Sequence, residues 1–343
     1  MPRTKLLLAL LSLALVAAAC GGSESPAAVT GEPTTTVAPE TTEAMVDDEM
    51  VDEAAEEAMD DDMADDAMDE VAEGFPVDVA GVTVPDRPER IVSISASATE
   101  MLFAIGAGDQ VIAVDSFSYY PEEAPVTDLS AFEPSLEAIA AFEPDLVITS
   151  FDPDGMLATG FGELGVPVLT QFAAFSLEDA LSQMIDLGAA TGNDDGAAEL
   201  VETLRADIDA VLATLPDDAE PVRVYHELDP TFFSVTSATF LGELYTLVGV
   251  ENIADPADAD GSAFGYPQLS AEYILEADPE LIIFTDAYGE SADDVAARPG
   301  FESTTAAQNG QIIQVDDDIA SRWGPRIVDF LEVVVKAVND ARA

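Results

Sequence analysis

His226 and Cys20 are the only imidazole and the only thiol among 343 residues. One cysteine cannot close an internal disulfide or a multi-cysteine zinc site, and one histidine cannot build a three-histidine metal centre. A Ser-His-Asp hydrolase would have to recruit His226, and no G-x-S-x-G elbow accompanies it. Carboxylates are the abundant titratable group, with 69 Asp and Glu against 11 Lys and Arg and a formal net charge of −58. That balance excludes nucleic acid as a partner, because phosphate contacts need clustered Lys and Arg. It also argues against adsorption to anionic lipid through a basic patch. These residue types place solute carriage or a scaffold role ahead of catalysis, with no resident cofactor or metal expected.

The polar groups best suited to grip a ligand are Arg322 and Arg326, in SRWGPRIVDF. Arg326 opens the last helix and fits a structural ion pair. Arg322 lies in the preceding loop and is a candidate clamp for a carboxylate, amide or phosphate oxygen. Aromatic residues make up only 7% of the chain, yet many follow a predicted strand rather than sit inside one. They are Phe117, Tyr119 and Tyr120, then Phe132, Phe151 and Phe172, then Phe232, Phe233, Tyr266, Tyr288 and Trp323. Aromatic faces give broad contact to a planar or polycyclic ligand at low entropic cost. His226 ends a predicted strand in VYHELDP. Two readings are open for it: a hydrogen-bonded strand-end residue, or an axial ligand to haem iron opposite Met156.

The elements that would position these residues begin after a distinctive N-terminus. Arg3 and Lys5 precede an apolar run, Leu6 to Val16, and the small residues Ala17 to Ala19 lead to Cys20. That is a secretory signal over 1–19, too short to span a bilayer. Small residues before the only cysteine resemble a bacterial lipobox, in which Cys20 carries the lipid. Residues 20–84 read as an acidic tether, with 19 acidic and no basic side chains from Glu24 to Glu73. The remaining 50 acidic residues face 9 basic ones, so the folded part is acidic in its own right and suits a salty exterior.

From Arg87 onward the pattern is α/β, with mostly parallel sheets. IVSIS is a strand, followed by a helix capped by Ser97 or Thr99 and ended by Gly106 and Gly108. VIAV, LVIT and VPVLT are further strands. Ser135-x-Glu137-x-Ile139 before Pro144 recurs as Ser270-x-Glu272-x-Ile274 before Pro279, at an offset of 135. Ser97-Ala98-Thr99 before Gly106 similarly echoes Ser237-Ala238-Thr239 before Gly249. Two similar lobes are expected, over 85–195 and 217–343. Leu200, Leu204, Ile208, Val211 and Leu215 mark one long amphipathic helix over 196–216 between them.

With those motifs in place, the chain from about Pro88 to Ala341 resembles the substrate-binding lipoproteins of ABC importers for vitamin B12, ferric siderophores and haem. The resemblance is carried by RIVSISASATEMLFAIGAGDQVIAVDSFSYYP, SLEAIAAFEPDLVI, YPQLSAEYILEADPELIIF and SRWGPRIVDFLE. It implies an α/β fold of two Rossmann-like lobes joined by one long helix, in a monomer, lipid-anchored outside the cytoplasm, that binds a small-molecule metal chelate between the lobes. One continuous helix resists hinge bending, so only modest closure is expected. It also implies delivery to a permease dimer with its ATPase. By resemblance, Glu137 and Glu272 are the glutamates that meet arginine pockets on the permease. Phe117, Tyr266 and Arg322 match ligand-contact positions of the B12-binding members. Tryptophans are prominent around the cleft of those members, whereas Trp323 is the only one here. A ferric siderophore and a corrinoid stand level as ligands, with haem behind them. Two other readings are a ligand sensor or surface interaction protein without transport, and an enzyme on the same fold.

Overall fold

The computed structural model describes residues 74–216 and 220–343. Cys20, the signal segment and the acid-rich tract up to Glu73 lie outside the described residues, and so do their assignments as anchor and tether. The tether was expected to reach residue 84, but the chain is already folded there. Val77–Val79 (β1) and Val82–Val84 (β2) form an antiparallel hairpin. Its two-residue turn places Ala80 and Gly81 at φ 49° and 81°, the conformation that matches strand twist in tight hairpins. Phe75, Val79 and Val84 are buried in the first lobe's core, so the period-two pattern V-D-V, V-T-V prevails over the acidic sequence just upstream.

The first lobe is built from Ile91–Ile94 (β3), Ala96–Ala104 (α1), Val111–Asp115 (β4), Val126–Leu129 (β5), Leu136–Ala140 (α2), Leu146–Thr149 (β6), Met156–Glu163 (α3) and Val168–Thr170 (β7). Its five strands are all parallel, in the order β5-β4-β3-β6-β7. Both faces are covered, which is why β3 and β6 are buried at every position. The α1 cap differs from expectation. Ser95 accepts from the backbone N–H of Ala98, while Ser97 and Thr99 are buried inside the helix.

Leu177–Thr191 (α4) and Asp194–Leu212 (α5) follow as a helical hairpin joined by Gly192 and Asn193. α4 was not foreseen as an element, although Ser176 caps it on the backbone of Asp179. α5 is the expected connecting helix, about 28 Å long at 1.5 Å per residue, ending at Leu212 rather than 216. Ala197 and Leu204 belong to the first lobe's core and Ile208 to the second's, so one rigid helix is shared by both. A Cβ on Gly196 would stand 2.1 Å from the carbonyl oxygen of Ile105, so only glycine lets α5 rest on the end of α1.

The second lobe contains Arg223–Glu227 (β8), Phe240–Val248 (α6), Glu251–Asn252 (β9), Ala271–Ala277 (α7), Leu281–Thr285 (β10), Ala292–Ala296 (α8), Thr305–Asn309 (α9), Ile312–Val315 (β11), Asp317–Ser321 (α10) and Ile327–Arg342 (α11). Its parallel sheet runs β11-β10-β8-β9. Reversed, that is the order β4-β3-β6-β7 of the first lobe with β5 left out. The repeat at offset 135 therefore equates α2 and β6 with α7 and β10. The offset is larger between α1 and α6 because a longer segment separates β8 from α6 than β3 from α1. No described helix is long and apolar enough to cross a membrane.

Candidate ligand-binding cleft

In both lobes the loops at the carboxyl ends of the strands turn toward the other lobe. Five hydrogen bonds fix that orientation. Tyr119, after β4, donates to Asp318 Oδ1 at 2.8 Å, after β11. Arg322 Nη2 donates to the Phe117 carbonyl at 3.0 Å. Trp323 Nε1 donates to Gln183 Oε1 on α4 at 2.9 Å. Arg322 Nη1 and Arg326 Nε reach the two oxygens of Glu100 on α1, at 2.8 and 3.0 Å. Open parallel sheets bind ligands beyond the strand carboxyl ends, which is where these contacts between the lobes lie.

Most of the expected cleft aromatics are exposed. Phe117, Tyr119, Tyr120, Phe132, Phe151 and Phe172 are exposed on the first lobe, and Phe233, Tyr266 and Tyr288 on the second. Phe117 and Phe132 meet edge to face, with centroids 5.4 Å apart. Phe132 is 78% exposed, an arrangement that leaves large apolar faces in water unless something covers them. Phe175, five residues beyond β7, and Phe264, in the loop beside the segment after β8, are exposed as well. Both were overlooked. Their only signal was the same one, an aromatic shortly after a strand or within a glycine-rich loop.

Three expected ligand contacts are otherwise engaged. Arg322 is 8% exposed, and its guanidinium is held by Glu100, the Phe117 carbonyl and Asp318. It lies over the Tyr119 ring at 5.0 Å, while Arg326 lies over Tyr120 at 4.1 Å. Arg322 thus holds up Phe117 and Tyr119 instead of reaching into the cleft. Trp323 is packed between the two cores. Phe232, at φ 68°, turns inward to stack on Phe301 with Arg298 over its ring. Its neighbour Phe233 takes the exposed position.

Glu100 is the buried partner of both arginines, and nothing in the sequence pattern singles it out. Its side chain is 1% exposed and carries both Arg322 and Arg326. The ion pair expected for Arg326 is present, with a shared partner. The second arginine site is Arg298, bound to Glu227 and Glu290 at the ends of β8 and β10. Glu137 and Glu272 occupy the same exposed place in the first turns of α2 and α7, each beside a serine cap, and no salt bridge engages either among the described residues.

His226 is buried in β8, and Nδ1 pairs with the Tyr245 hydroxyl at 2.7 Å. Met156 lies exposed on the other lobe, so the two do not form an axial pair. Burial lowers the His226 pKa to about 4. Because the folded value lies below the unfolded one, protonation favours the unfolded chain. The stability due to His226 is complete above pH 6.5 and is lost as pH falls toward 4. Between pH 7 and 5 the loss amounts to about 2 kcal/mol. Denaturant titrations should therefore show a loss smaller by that amount in His226→Asn. Equal pH slopes in the two chains would refute it. The comparison cancels buried carboxyls such as Asp115, which burial pushes up and which shift stability in the opposite sense.

A separate open groove of about 760 Å³ runs between α5 and α11 and draws only Pro325 from the strand-end segments.

Comparison with known proteins agrees with this geometry. Residues 91–319 match the periplasmic binding protein family. The chain is 30% identical to the cobalamin-binding protein of Halobacterium salinarum, over 76% of this chain and 72% of that one. It is 27% identical to an ABC transporter substrate-binding lipoprotein of Bacillus subtilis, over 78% and 86%. The apo structure of a periplasmic haem-binding protein from Roseiflexus superposes with a TM-score of 0.64 at 26% identity, covering 75% of this chain and all of that one. The chain belongs to the periplasmic binding protein family, among the substrate-binding proteins of ABC importers of the vitamin B12, haem and siderophore type.

Proposed function

We propose that this chain is a lipid-anchored extracytoplasmic carrier that captures a ferric siderophore or a cobalamin-type corrinoid and hands it to an ABC permease. The observation that carries this reading is the set of exposed aromatic side chains on both lobes, in segments that follow strands. Phe117, Tyr119, Phe132, Phe151, Tyr266 and Tyr288 offer more apolar surface than a small sugar or amino acid would cover. The cobalamin-binding relative supports the corrinoid alternative. Haem is disfavoured because the one histidine is buried and hydrogen-bonded to Tyr245. Cys20 supplies the anchor, and Glu137 and Glu272 form the docking pair.

The test is a spectrum. Purified protein is mixed with cyanocobalamin, haem, a ferric hydroxamate or a ferric catecholate, then desalted. A corrinoid or ferric siderophore chromophore should elute with the protein at one equivalent and raise its melting temperature. If none is retained and none shifts the melting temperature, the ligand class is wrong.

A further inference from the structure

The charge around the cleft restricts the ligand further than its aromatic lining does. At the strand carboxyl ends, the described residues include three arginines and no lysine. Arg298 is bound to Glu227 and Glu290, and Arg322 and Arg326 converge on Glu100. None presents a free guanidinium to a ligand. The other basic residues lie elsewhere. Arg90 binds backbone carbonyls ahead of β6, Arg223 pairs with Asp278 and Glu280 at the start of β8, Arg205 pairs with Glu178 on α4, and Lys336 with Asp340 on α11, while Arg87 precedes β3 and Arg342 ends α11.

Carboxylates at the same ends are numerous and less fully engaged. Glu133 and Asp154 are exposed after β5 and β6, and no hydrogen bond reaches either side chain among the described residues. Asp316, Asp317 and Asp318 follow β11, beside Asp286 after β10; Asp318 is held by Arg322 and Tyr119, whereas the other three have no basic partner among the described residues. Burial pushes the Asp317 carboxyl up, with the negative charges of Asp318 and Asp286 acting in the same direction. This is the field of a site that repels anions. Like charges across a site suppress the wrong partner, and low-dielectric walls amplify the effect.

We infer that the cleft selects a metal chelate of zero or positive net charge whose periphery carries amide N–H or ammonium donors, and rejects anionic chelates. This rests on the proposed function, since it refines the ligand of that cleft. Carboxylates accept hydrogen bonds and donate none when ionised, so the ligand edge must supply the donors. Aromatic faces cover its apolar body.

The experiment measures dissociation constants for four probes at low salt and at 0.5 M NaCl. Cyanocobalamin is neutral and amide-rich, ferrioxamine B is cationic through an ammonium, ferric enterobactin is trianionic, and haem carries two propionates. At least one of the first two should bind, and both anionic probes should bind at least about tenfold more weakly, with a gap that narrows in salt. The double variant Glu133→Lys with Asp154→Lys should close part of the gap by tightening binding of the two anionic probes. An anionic chelate bound as tightly as the others, or a gap unmoved by salt and by the lysines, overturns the inference while leaving the proposed function standing. Binding of no probe overturns both.

Discussion

Replacement of Glu100 by alanine lowers stability by about 3–5 kcal/mol and the melting temperature by roughly 10 °C. The side chain is 1% exposed and accepts from Arg322 and Arg326, so its removal leaves two guanidinia buried without their carboxylate. Arg322 keeps Asp318 and the Phe117 carbonyl, whereas Arg326 loses its one salt bridge among the described residues. The penalty comes from the uncompensated charge rather than from any strength of the bridge itself. A second variant separates the two. Glu100→Met with Arg322→Met and Arg326→Leu removes every charge in the cluster and is expected to lie within about 2 kcal/mol of the parent. Denaturant unfolding with an unchanged m-value is the readout. A loss below about 1 kcal/mol in Glu100→Ala would mean that water enters the cluster and solvates the arginines. The consequence for binding follows from geometry. Arg322 also holds the Phe117 carbonyl and lies over the face of Tyr119, so loosening it should weaken affinity for a ligand that rests on those aromatics.

The repeat in the sequence already contained the doubled lobe. Ser135 and Ser270 each cap a helix that ends before a proline and a strand, and the structure gives those segments the same place in two sheets. Helical periodicity likewise announced α5. Short or partly exposed strands did not announce themselves: β5 has one buried residue in four, so its hydrophobic pattern is weak. The site was harder to read. Glu100 and Arg322 are 222 residues apart, and the acid looks like any surface residue in an apolar helix until the lobes meet. Adjacent aromatics pose the same difficulty. Whether Phe232 or Phe233 faces outward depends on one positive φ, which composition and spacing do not reveal.

Reversing the two glutamates, Glu137→Lys with Glu272→Lys, should reduce ligand uptake by at least about a hundredfold while leaving ligand affinity within about twofold. Both residues are exposed, and no described salt bridge holds either. Their intramolecular role is therefore limited to the helix dipole, about 0.3–1 kcal/mol each at a helix N-terminus. A lysine there costs stability on that scale, far too little to unfold the lobes. Helices that follow the strands of a parallel sheet run back along it, so their N-termini lie at the strand carboxyl ends. α2 and α7 therefore present Glu137 and Glu272 on the side of the cleft, one per lobe, where a two-fold permease would meet both at once. Each single reversal should give an intermediate loss, since one contact remains. Uptake measured in cells and ligand affinity measured on purified protein distinguish the possibilities. Lost affinity would place the glutamates in the binding site. Normal uptake by the double variant would remove them from docking and favour a sensor on the same fold.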